Sequence, residues 1–227
     1  MSNSRKRIFI TGIAGFIGYH LAKALEKEGH FVIGCDNFNS YYDPKLKKQR
    51  ATQLPNVHVL DICEREKLEA LILENEITHI VHLAAQAGVR YSITHPQEYH
   101  DTNLTGFFHL LEILRKSPHI QLTFASSSSV YGLNKKIPFS ESDSTDQPAN
   151  FYGATKKSNE LMAHSYHHLY GIPMIGLRFF TVYGPWGRPD MAYFSFTKAI
   201  LEDKPIRVFN NGNMQRDFTY IDDIVQG

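Results

Sequence analysis

The chain has 227 residues, a length that suits one large α/β domain or one domain and part of a second. Its 24 Lys and Arg and 23 Asp and Glu leave a net charge of +1, so the overall charge favours neither nucleic acid nor an anionic membrane. The apolar run near the N-terminus is too short for a signal-peptide core or a membrane span, and Cys35 and Cys63 are predicted to be reduced thiols. We therefore expect a cytoplasmic protein whose anionic ligands are bound by local groups.

The first half of the chain alternates short β-branched segments with longer amphipathic ones. Strands are predicted at Arg7–Thr11, Phe31–Cys35, Val57–Leu60, His79–Leu83 and Gln121–Ala125. Helices are predicted at Phe16–Glu28, Glu64–Glu74 and Gln97–Lys116. This alternation predicts an α/β fold of the Rossmann type, in which helices cover both faces of a doubly wound parallel sheet.

The second half begins regularly and then becomes irregular. The predicted elements are a helix at Tyr152–Tyr170, a strand at Pro173–Phe179, a loop at Thr181–Met191, a helix at Ala192–Glu202, and short strands at Ile206–Phe209 and Phe218–Ile221. Asp222 and Asp223 are typical of a helix start, but only about one turn of sequence follows them. We expect a dinucleotide-binding domain over residues 1–180 and, over residues 181–227, an incomplete small substrate domain of a C-terminally truncated chain.

A glycine-rich turn connects the first strand to the first helix. Gly12, Gly15 and Gly18 form a G-x-x-G-x-x-G motif, which allows a sharp turn, close approach of a pyrophosphate and tight helix packing. The second strand then leads into Asp36, whose carboxylate suits a ribose 2′-hydroxyl and repels a 2′-phosphate. The motif predicts NAD in preference to NADP, and the alternative is a purely structural turn followed by a capping Asp.

Tyr152 and Lys156 form a second candidate site. They are four residues apart on a predicted helix, so both side chains lie on the same face, and a nearby cation lowers the pKa of a phenol. A run of serines, Ser126–Ser129, follows the fifth strand, at the sheet edge where such folds bind ligands. Tyr152 is therefore a candidate general base and acid, although a surface Tyr–Lys pair and a polar capping loop remain the alternatives.

The sequence resembles the extended short-chain dehydrogenase/reductase family of nucleotide-sugar epimerases and dehydratases. The resemblance covers nearly the whole chain and is carried by Thr11–Gly18, His82–Ala85, Asn103, Ser126–Gly132, Tyr152 with Lys156, and Arg178–Pro185. It implies hydride exchange between a sugar carbon and a retained NAD, with Ser127, Tyr152 and Lys156 as catalytic residues. It also implies a homodimer built through a helix bundle, and family members extend well beyond Gly227.

The resemblance also implies binding residues for both ligands. The cofactor-binding residues are predicted to be Gly12, Gly15, Phe16, Ile17, Gly18, Asp36, Asn37, Asp61, Ile62, Leu83, Ala84, Ala85, Asn103, Tyr152, Lys156 and Phe179. The residues that bind the UDP-sugar are predicted to be Gln86, Arg90, Ser128, Ser129, Thr181, Arg188, Phe209 and Arg216. The histidines lack partners at ligand spacing, so no metal is expected.

Three features narrow the predicted reaction. The serine run contains no acid of the kind common in dehydratases of this family, and the segments Gln86–Ser92 and Gly187–Ala192 resemble those of UDP-glucuronate 4-epimerases. Arg188 could pair with a sugar carboxylate, although a solvated charge or a diphosphate contact is the alternative. We expect conversion of UDP-glucuronate to UDP-galacturonate through a 4-keto intermediate. The alternatives are a UDP-glucose 4-epimerase, a 4,6-dehydratase and a truncated, non-catalytic NAD-binding remnant.

Overall fold

One six-stranded parallel sheet forms the centre of the protein. The computed structural model describes residues 5–206, 208 and 210–227. Its strands follow the order β3-β2-β1-β4-β5-β6, and every neighbouring pair is parallel. The strands are β1 (Arg7–Thr11), β2 (Phe31–Asp36), β3 (Val57–Val59), β4 (His79–His82), β5 (Gln121–Ser127) and β6 (Met174–Phe179). The doubly wound parallel sheet predicted from the sequence is confirmed.

Helices connect these strands. They are α1 (Phe16–Lys27), α2 (Pro44–Ala51), α3 (Arg65–Glu74), α4 (Tyr91–Thr94), α5 (Pro96–Tyr99), α6 (Phe107–Lys116) and α7 (Phe151–Tyr170). A π-helical turn, His100–Gly106, joins α5 to α6, so the helix predicted at Gln97–Lys116 is continuous but locally widened. Helix α7 is followed by Gly171, which caps it in a left-handed conformation with φ of 68°. Glycine is the usual residue at this position, so the sequence predicts this helix end.

Alternate residues of the strands enter two separate apolar cores. Phe9 of β1 and Phe124 of β5 belong to a large core that also contains Phe107 and Leu111 of α6. The neighbouring residue Ile8 belongs to a second core with Tyr19 and other residues. Because side chains of a strand alternate between its faces, the two cores mark the two covered faces of the sheet.

A smaller unit follows β6. Strand β7 (Thr181–Tyr183) pairs in parallel with β8 (Phe218–Tyr220), and helices α8 (Ala192–Leu201) and α9 (Ile221–Gln226) complete it with a 3₁₀ turn at Asn210–Gly212. Val182 and Ile221 are buried against Phe16, which places this unit on helix α1. Asp222 and Asp223 lie in the first turn of α9, as expected from their favourable interaction with a helix N-terminus.

Several sequence-based predictions are wrong in detail. The predicted loop at Thr181–Met191 begins with β7, which is too short to show a strand period. Ile206 and Val208 are not in a strand, and residues 207 and 209 lie outside the described part of the chain. Helices α2 and α4 were not predicted, since α2 is rich in Lys and has no apolar stripe. Asp43 does cap α2 through the N–H of Lys45, and Pro44 follows it, which is a start signal visible in the sequence.

Neither a membrane span nor a metal cluster is found in the part of the chain that the structure describes. Its helices are too short or too polar to cross a bilayer. Among the same residues, no group of three or more His, Cys, Asp or Glu side chains could hold a metal ion. Cys35 and Cys63 are free thiols, and Cys35 is buried.

Candidate active site

A cavity opens at the carboxyl ends of the parallel strands. Its wall includes Gly12 after β1, Asp36 at the end of β2, Leu83 after β4, Ser127 at the end of β5 and Phe179 at the end of β6. Ligands of open parallel sheets bind at this edge, where the connections diverge to opposite faces. The topology therefore brings together groups that are far apart in the sequence.

The glycine turn has no room for side chains. Gly12 has a φ of +71°, and a Cβ added to it would lie 2.8 Å from the backbone nitrogen of Ala84. A Cβ at Gly18 would lie 2.3 Å from the carbonyl oxygen of Gly12. Helix α1 begins directly after Gly15, which has no side chain to cap its free N–H groups. The turn thus forms a backbone cradle that fits a diphosphate at a helix N-terminus.

Asp36 is buried and lies beside a buried cation. Its Oδ1 accepts a hydrogen bond from the N–H of Phe38 at 2.8 Å, and Lys47 Nζ lies 3.4 Å away. Lys47 also donates to Asn39 Oδ1 at 2.9 Å. Burial lowers the pKa of Lys47, and the charge of Asp36 partly restores it. Since Oδ1 faces these donors, Asp36 can offer Oδ2 to a ribose hydroxyl.

A second carboxylate lies at the same end of the cavity. Asp61 Oδ2 accepts a hydrogen bond from Asn37 Nδ2 at 2.8 Å, and Oδ1 accepts one from the N–H of Cys63 at 2.8 Å. Burial raises the pKa of Asp61, but these hydrogen bonds outweigh it and the net shift is downward. Asn37, Asp61 and Ile62 all line the cavity, and their contacts with the cofactor remain predictions.

The segment after β4 forms the middle of the wall. Leu83, Ala84, Ala85 and Gln86 line the cavity, and the Oε1 of Gln86 accepts a hydrogen bond from Asn39 at 3.1 Å. Asn103 accepts from the N–H of Gln86 at 2.8 Å and donates to its carbonyl at 3.0 Å. Asn103 therefore supports this wall from behind, and its predicted contact with the cofactor remains a prediction.

Tyr152 and Lys156 lie on one face of α7, as their spacing predicts. Lys156 is only 2% exposed, and its Nζ donates to the carbonyl of Ala125 at 2.8 Å. Burial lowers the pKa of Lys156 to about 8. Tyr152 lines the cavity one turn earlier, so the helix brings a phenol to the cavity with a buried amine behind it.

The pKa of Tyr152 departs from the sequence-based expectation. A nearby Lys was expected to lower it, but burial of the phenol dominates and raises it. A hydrogen bond with Ser127 and the charge of Arg188 act in the opposite direction. Ser127 and Arg188 are therefore the groups that favour the phenolate form of Tyr152.

The serine run divides into hydroxyls with different partners. Ser126 donates a hydrogen bond to Glu160 at 2.6 Å. The Nε and Nη2 of Arg178 donate to the two carboxylate oxygens of Glu160, each at 2.9 Å. Ser127 is 8% exposed and lines the cavity, its Oγ accepts a hydrogen bond from the N–H of Ser129 at 3.1 Å, and its hydroxyl lowers the pKa of Tyr152. Ser126 also lines the cavity, but its hydroxyl is bound to Glu160, and the catalytic role of Ser127 remains a prediction.

Arg188 reaches the cavity from the loop after β7. Its Nε donates to Asp190 Oδ1 at 3.0 Å, its Nη2 contacts Oδ2, and its side chain is 24% exposed. Burial disfavours the charged guanidinium, but Asp190 outweighs this and raises the pKa of Arg188. Arg188 therefore remains a cation at the wall that also carries Ser127 and Tyr152.

Most of the remaining predicted substrate residues lie outside this wall. Arg90 is exposed at the start of α4, and Arg216 is exposed and donates to the carbonyl of Gln215. Ser128 and Ser129 lie in a 3₁₀ turn, Ser128–Tyr131, and Thr181 begins β7. Phe209 lies outside the described residues. Their roles remain predictions.

Helix α2 and the segment before it supply residues that the sequence analysis missed. Asn39, Tyr41, Tyr42 and Lys47 all line the cavity. Arg50 is fully buried and donates to the carbonyl of Ala14 at 3.1 Å, to Tyr42 at 2.9 Å and to the carbonyl of Trp186 at 2.6 Å. Lys47 and Arg50 are three residues apart on a helix, and the Asp–Pro start of α2 was the signal that could have placed them together.

The fold and the cavity define a class of protein. The parallel sheet has the strand order 3-2-1-4-5-6, with a glycine turn after β1, an acid at the end of β2, and a helix carrying Tyr152 and Lys156 beside the cavity. Together these features describe a Rossmann-type dinucleotide-binding protein with a candidate proton-transfer site.

Comparison with known proteins agrees with this class. The model of the NAD dependent epimerase/dehydratase family matches residues 8–227. UDP-glucuronate 4-epimerase 4 of Arabidopsis thaliana is 54% identical over 100% of this chain, which spans only 54% of that protein. A UDP-glucuronic acid 4-epimerase from Bacillus cereus, solved with UDP-glucuronic acid and NAD, superposes with a TM-score of 0.86 at 39% identity, over 97% of this chain and 71% of that one.

The structure also resembles that of an enzyme whose name gives a different type of reaction. A dTDP-glucose 4,6-dehydratase from Bacillus anthracis, solved with NAD, has a TM-score of 0.84 at 29% identity over 97% of this chain and 69% of that one. The chain belongs to the NAD-dependent epimerase/dehydratase family. It spans about half the length of the plant relatives it matches, at 54% of the first of them.

Proposed function

We propose that the protein binds NAD and interconverts UDP-glucuronate and UDP-galacturonate by inverting C4 of the sugar. The observation that carries this proposal is the placement of Ser127, Tyr152 and Arg188 on one cavity wall, next to the glycine turn. Ser127 and Tyr152 can hydrogen-bond and deprotonate a sugar hydroxyl, and Arg188 can bind a carboxylate. The 54% identity to a UDP-glucuronate 4-epimerase supports the same substrate.

The cavity fits the proposed cofactor. The glycine turn can close tightly because Cβ atoms are absent at Gly12 and Gly18, where they would collide with backbone atoms, and the start of helix α1 after Gly15 offers free N–H groups to a diphosphate. Asp36 and Asp61 offer carboxylate oxygens for the adenosine end, and Phe179 lies on the wall at the other end. When bound, NAD would supply reversible hydride transfer at C4 of the sugar.

The side chains of this site would move and hold the proton. Tyr152, whose phenolate form is favoured by Ser127 and Arg188 against the effect of burial, would take the proton of the 4-hydroxyl, while Ser127 hydrogen-bonds the same oxygen of the sugar. Lys156, buried behind Tyr152, would hold the nicotinamide ribose. Inversion requires that the 4-ketone present its opposite face before Tyr152 returns the proton.

Arg188 has a separate purpose in this proposal. Oxidation of C4 turns a uronic acid into a β-keto acid, which loses CO₂ when the bond to its carboxylate aligns with the π system of the ketone. A guanidinium that binds the carboxylate can hold it out of that alignment, because two parallel N–H···O hydrogen bonds fix the plane of the carboxylate. Arg188 would therefore protect the intermediate as well as select the substrate.

A second candidate is a 4-epimerase of a neutral nucleotide sugar. The observation that favours it is the ion pair between Arg188 and Asp190, which already provides the guanidinium with a carboxylate. A neutral sugar would leave that pair undisturbed. UDP-glucose is therefore the appropriate competing substrate.

One incubation distinguishes these possibilities. The purified protein is mixed with UDP-glucuronate or with UDP-glucose, each labelled with deuterium at C4, and the products are separated by ion exchange and examined by NMR. We expect UDP-galacturonate with the label retained at C4, because a retained cofactor does not exchange with free NAD. UDP-galactose alone would instead favour the second candidate, and loss of the label would contradict a retained cofactor.

We also propose a homodimer in the cytoplasm. Phe108 on α6 and Leu161 and Leu169 on α7 are 42%, 58% and 62% exposed, respectively, so the two helices carry apolar side chains on their outer surfaces. A partner that covers them would remove this surface from water. The free thiols suit a reducing compartment. Sedimentation equilibrium tests the dimer, since a monomer at micromolar concentration would contradict it.

A further inference from the structure

Asp190 holds the guanidinium of Arg188 by one edge only. Its two oxygens contact Nε and Nη2, which form the side edge of the guanidinium plane. The end edge, formed by Nη1 and the second hydrogen of Nη2, points in a different direction and can serve another planar anion. An ion pair of this geometry fixes the orientation of the guanidinium and leaves some of its N–H donors available.

Asp190 is itself held by a residue from the other end of the chain. Tyr41, in the segment between β2 and α2, donates to Asp190 Oδ2 at 3.1 Å, and its ring lies 5.8 Å from the Arg188 guanidinium carbon. A Cβ at Gly88 would lie 2.2 Å from the hydroxyl oxygen of Tyr41, so the glycine is needed to accommodate this tyrosine. Burial and the neighbouring Asp190 raise the pKa of Tyr41 to about 12, which keeps its hydroxyl protonated as the donor.

Helix α2, which follows this segment, holds the Arg188 loop at a second point. Arg50 donates to the carbonyl of Trp186 at 2.6 Å, two residues before Arg188. Trp186 has a φ of 60°, a left-handed conformation that is uncommon for a residue with a side chain. The loop is thus anchored on both sides of Arg188 by the region that also carries Asp36.

We infer that Asp190, held by Tyr41, is a positioning residue that directs the end edge of Arg188 toward a substrate carboxylate in the cavity. This inference rests on the proposed function and adds two residues to it. Asp190 would not compete with the sugar carboxylate, because the two anions use different edges of the same guanidinium. The pair between Arg188 and Asp190 is then compatible with UDP-glucuronate.

Loss of this positioning has a defined chemical consequence. In the 4-keto uronic acid, a carboxylate that rotates into alignment breaks the bond between C5 and C6. The electron pair of that bond enters the enolate of the C4 ketone, CO₂ leaves, and C5 takes up a proton to give a UDP-4-keto-pentose. The ratio of decarboxylated to epimerised product therefore reports how firmly Arg188 is held.

The chain provides a matched control for this arrangement. Arg115 donates from Nε and Nη2 to the two oxygens of Glu112, each at 2.9 Å, and Tyr166 donates to the same carboxylate at 2.8 Å. This tyrosine, carboxylate and arginine repeat the chemistry of Tyr41, Asp190 and Arg188 on helices α6 and α7, away from the cavity wall.

The experiment measures the product ratio with UDP-glucuronate in single variants. Asp190→Asn is expected to raise the share of decarboxylated product about tenfold, since a charge-assisted hydrogen bond is lost, and Tyr41→Phe is expected to raise it by a smaller factor. Glu112→Gln and Tyr166→Phe should leave the ratio unchanged. An unchanged ratio in both Asp190→Asn and Tyr41→Phe, in protein that melts as the parent does, would overturn the inference.

A double-variant cycle separates positioning from a direct role. In an Arg188→Ala background, Asp190→Asn should change the ratio no further, because Asp190 acts through Arg188. An equal change in both backgrounds would show that Asp190 acts by another route. If the parent protein forms no UDP-galacturonate, the proposed function fails instead; crystal structures still test the positioning, since Arg188 should leave the cavity wall in Asp190→Asn and remaining there would overturn it.

Discussion

Lys156 shows at the scale of one residue how a buried group proposed to act in catalysis can lower the stability of the fold. An exposed Lys has a pKa of 10.5, and burial in this fold lowers that of Lys156 to about 8. The folded protein therefore binds this proton less tightly than the unfolded chain does. The penalty is fully present below pH 8 and disappears as the pH rises toward 10.5.

Lys156→Met should accordingly stabilise the protein at neutral pH. The shift from 10.5 to about 8 corresponds to at most about 3 kcal/mol in the free energy of unfolding. The gain should be largest at about pH 7 and should shrink as the pH approaches 10, while turnover is lost. Urea unfolding across this range measures it, and Lys198→Met, at a side chain that is 64% exposed, serves as the control. A gain that does not depend on pH would contradict the assignment.

At the scale of the element, helix α7 packs so closely on the serine run that its first turn requires a glycine. A Cβ on Gly153 would lie 2.7 Å from the carbonyl oxygen of Ser129. The side chain of Asn150 caps the helix by accepting a hydrogen bond from the N–H of Gly153 at 2.8 Å. The contact thus fixes the distance between Tyr152 on the helix and Ser127 before the turn.

Gly153→Ala should therefore destabilise the protein, although the same change in an exposed helix stabilises it by about 1 kcal/mol. We expect a loss of about 1–3 kcal/mol in the free energy of unfolding, because a backbone oxygen has to move. Turnover should fall with it, since Ser127 moves away from Tyr152. Denaturant unfolding and the rate with UDP-glucuronate test both effects. A stabilised and fully active variant would show that the contact relaxes freely.

The elements differ in how far the sequence could predict them. The strands of the sheet are buried and therefore rich in apolar, β-branched residues, a pattern that the sequence shows directly. The glycine turn and the pair of Tyr152 and Lys156 are recognised from the local spacing of their residues. Helix α2 was missed because its buried groups are Lys47 and Arg50, whose burial depends on partners elsewhere in the fold. The same holds for Tyr41, which meets Asp190 only after β2 and β7 are placed. A contact between residues 149 positions apart has no local pattern.

At the scale of the whole molecule, the part after residue 180 is joined to the sheet by a small apolar cluster. Phe16 of α1, Val182 of β7 and Ile221 of α9 are buried there, with Ile17 and Phe179 partly buried beside them. Helix α8 buries none of its residues. We propose that residues 5–180 form the more stable unit and that β7, β8 and α9 depend on this cluster for their position, while Arg50 and Tyr41 hold the loop between β7 and α8.

Ile221→Ala should therefore loosen the smaller unit and spare the larger one. Ile221 is 0% exposed, and its truncation is expected to cost about 2–4 kcal/mol. Limited proteolysis should cut after residue 180 sooner than in the parent, while the fragment before it resists and still binds NAD. Leu201→Ala, at a side chain that is 80% exposed, is the control. Equal protection of both units would contradict this division.

Arg50 has a consequence for the order in which the protein takes shape during synthesis. Its partner Ala14 lies 36 positions earlier in the chain, but its other partner, Trp186, lies 136 positions later. Strands β1, β2 and β4 are complete by His82, so the glycine turn can close on a nascent chain long before the ribosome has made Trp186. During that interval Arg50 can hold the turn but not the loop of Arg188. The cofactor end of the cavity can thus mature first, and the loop that carries Arg188 is assembled onto it last.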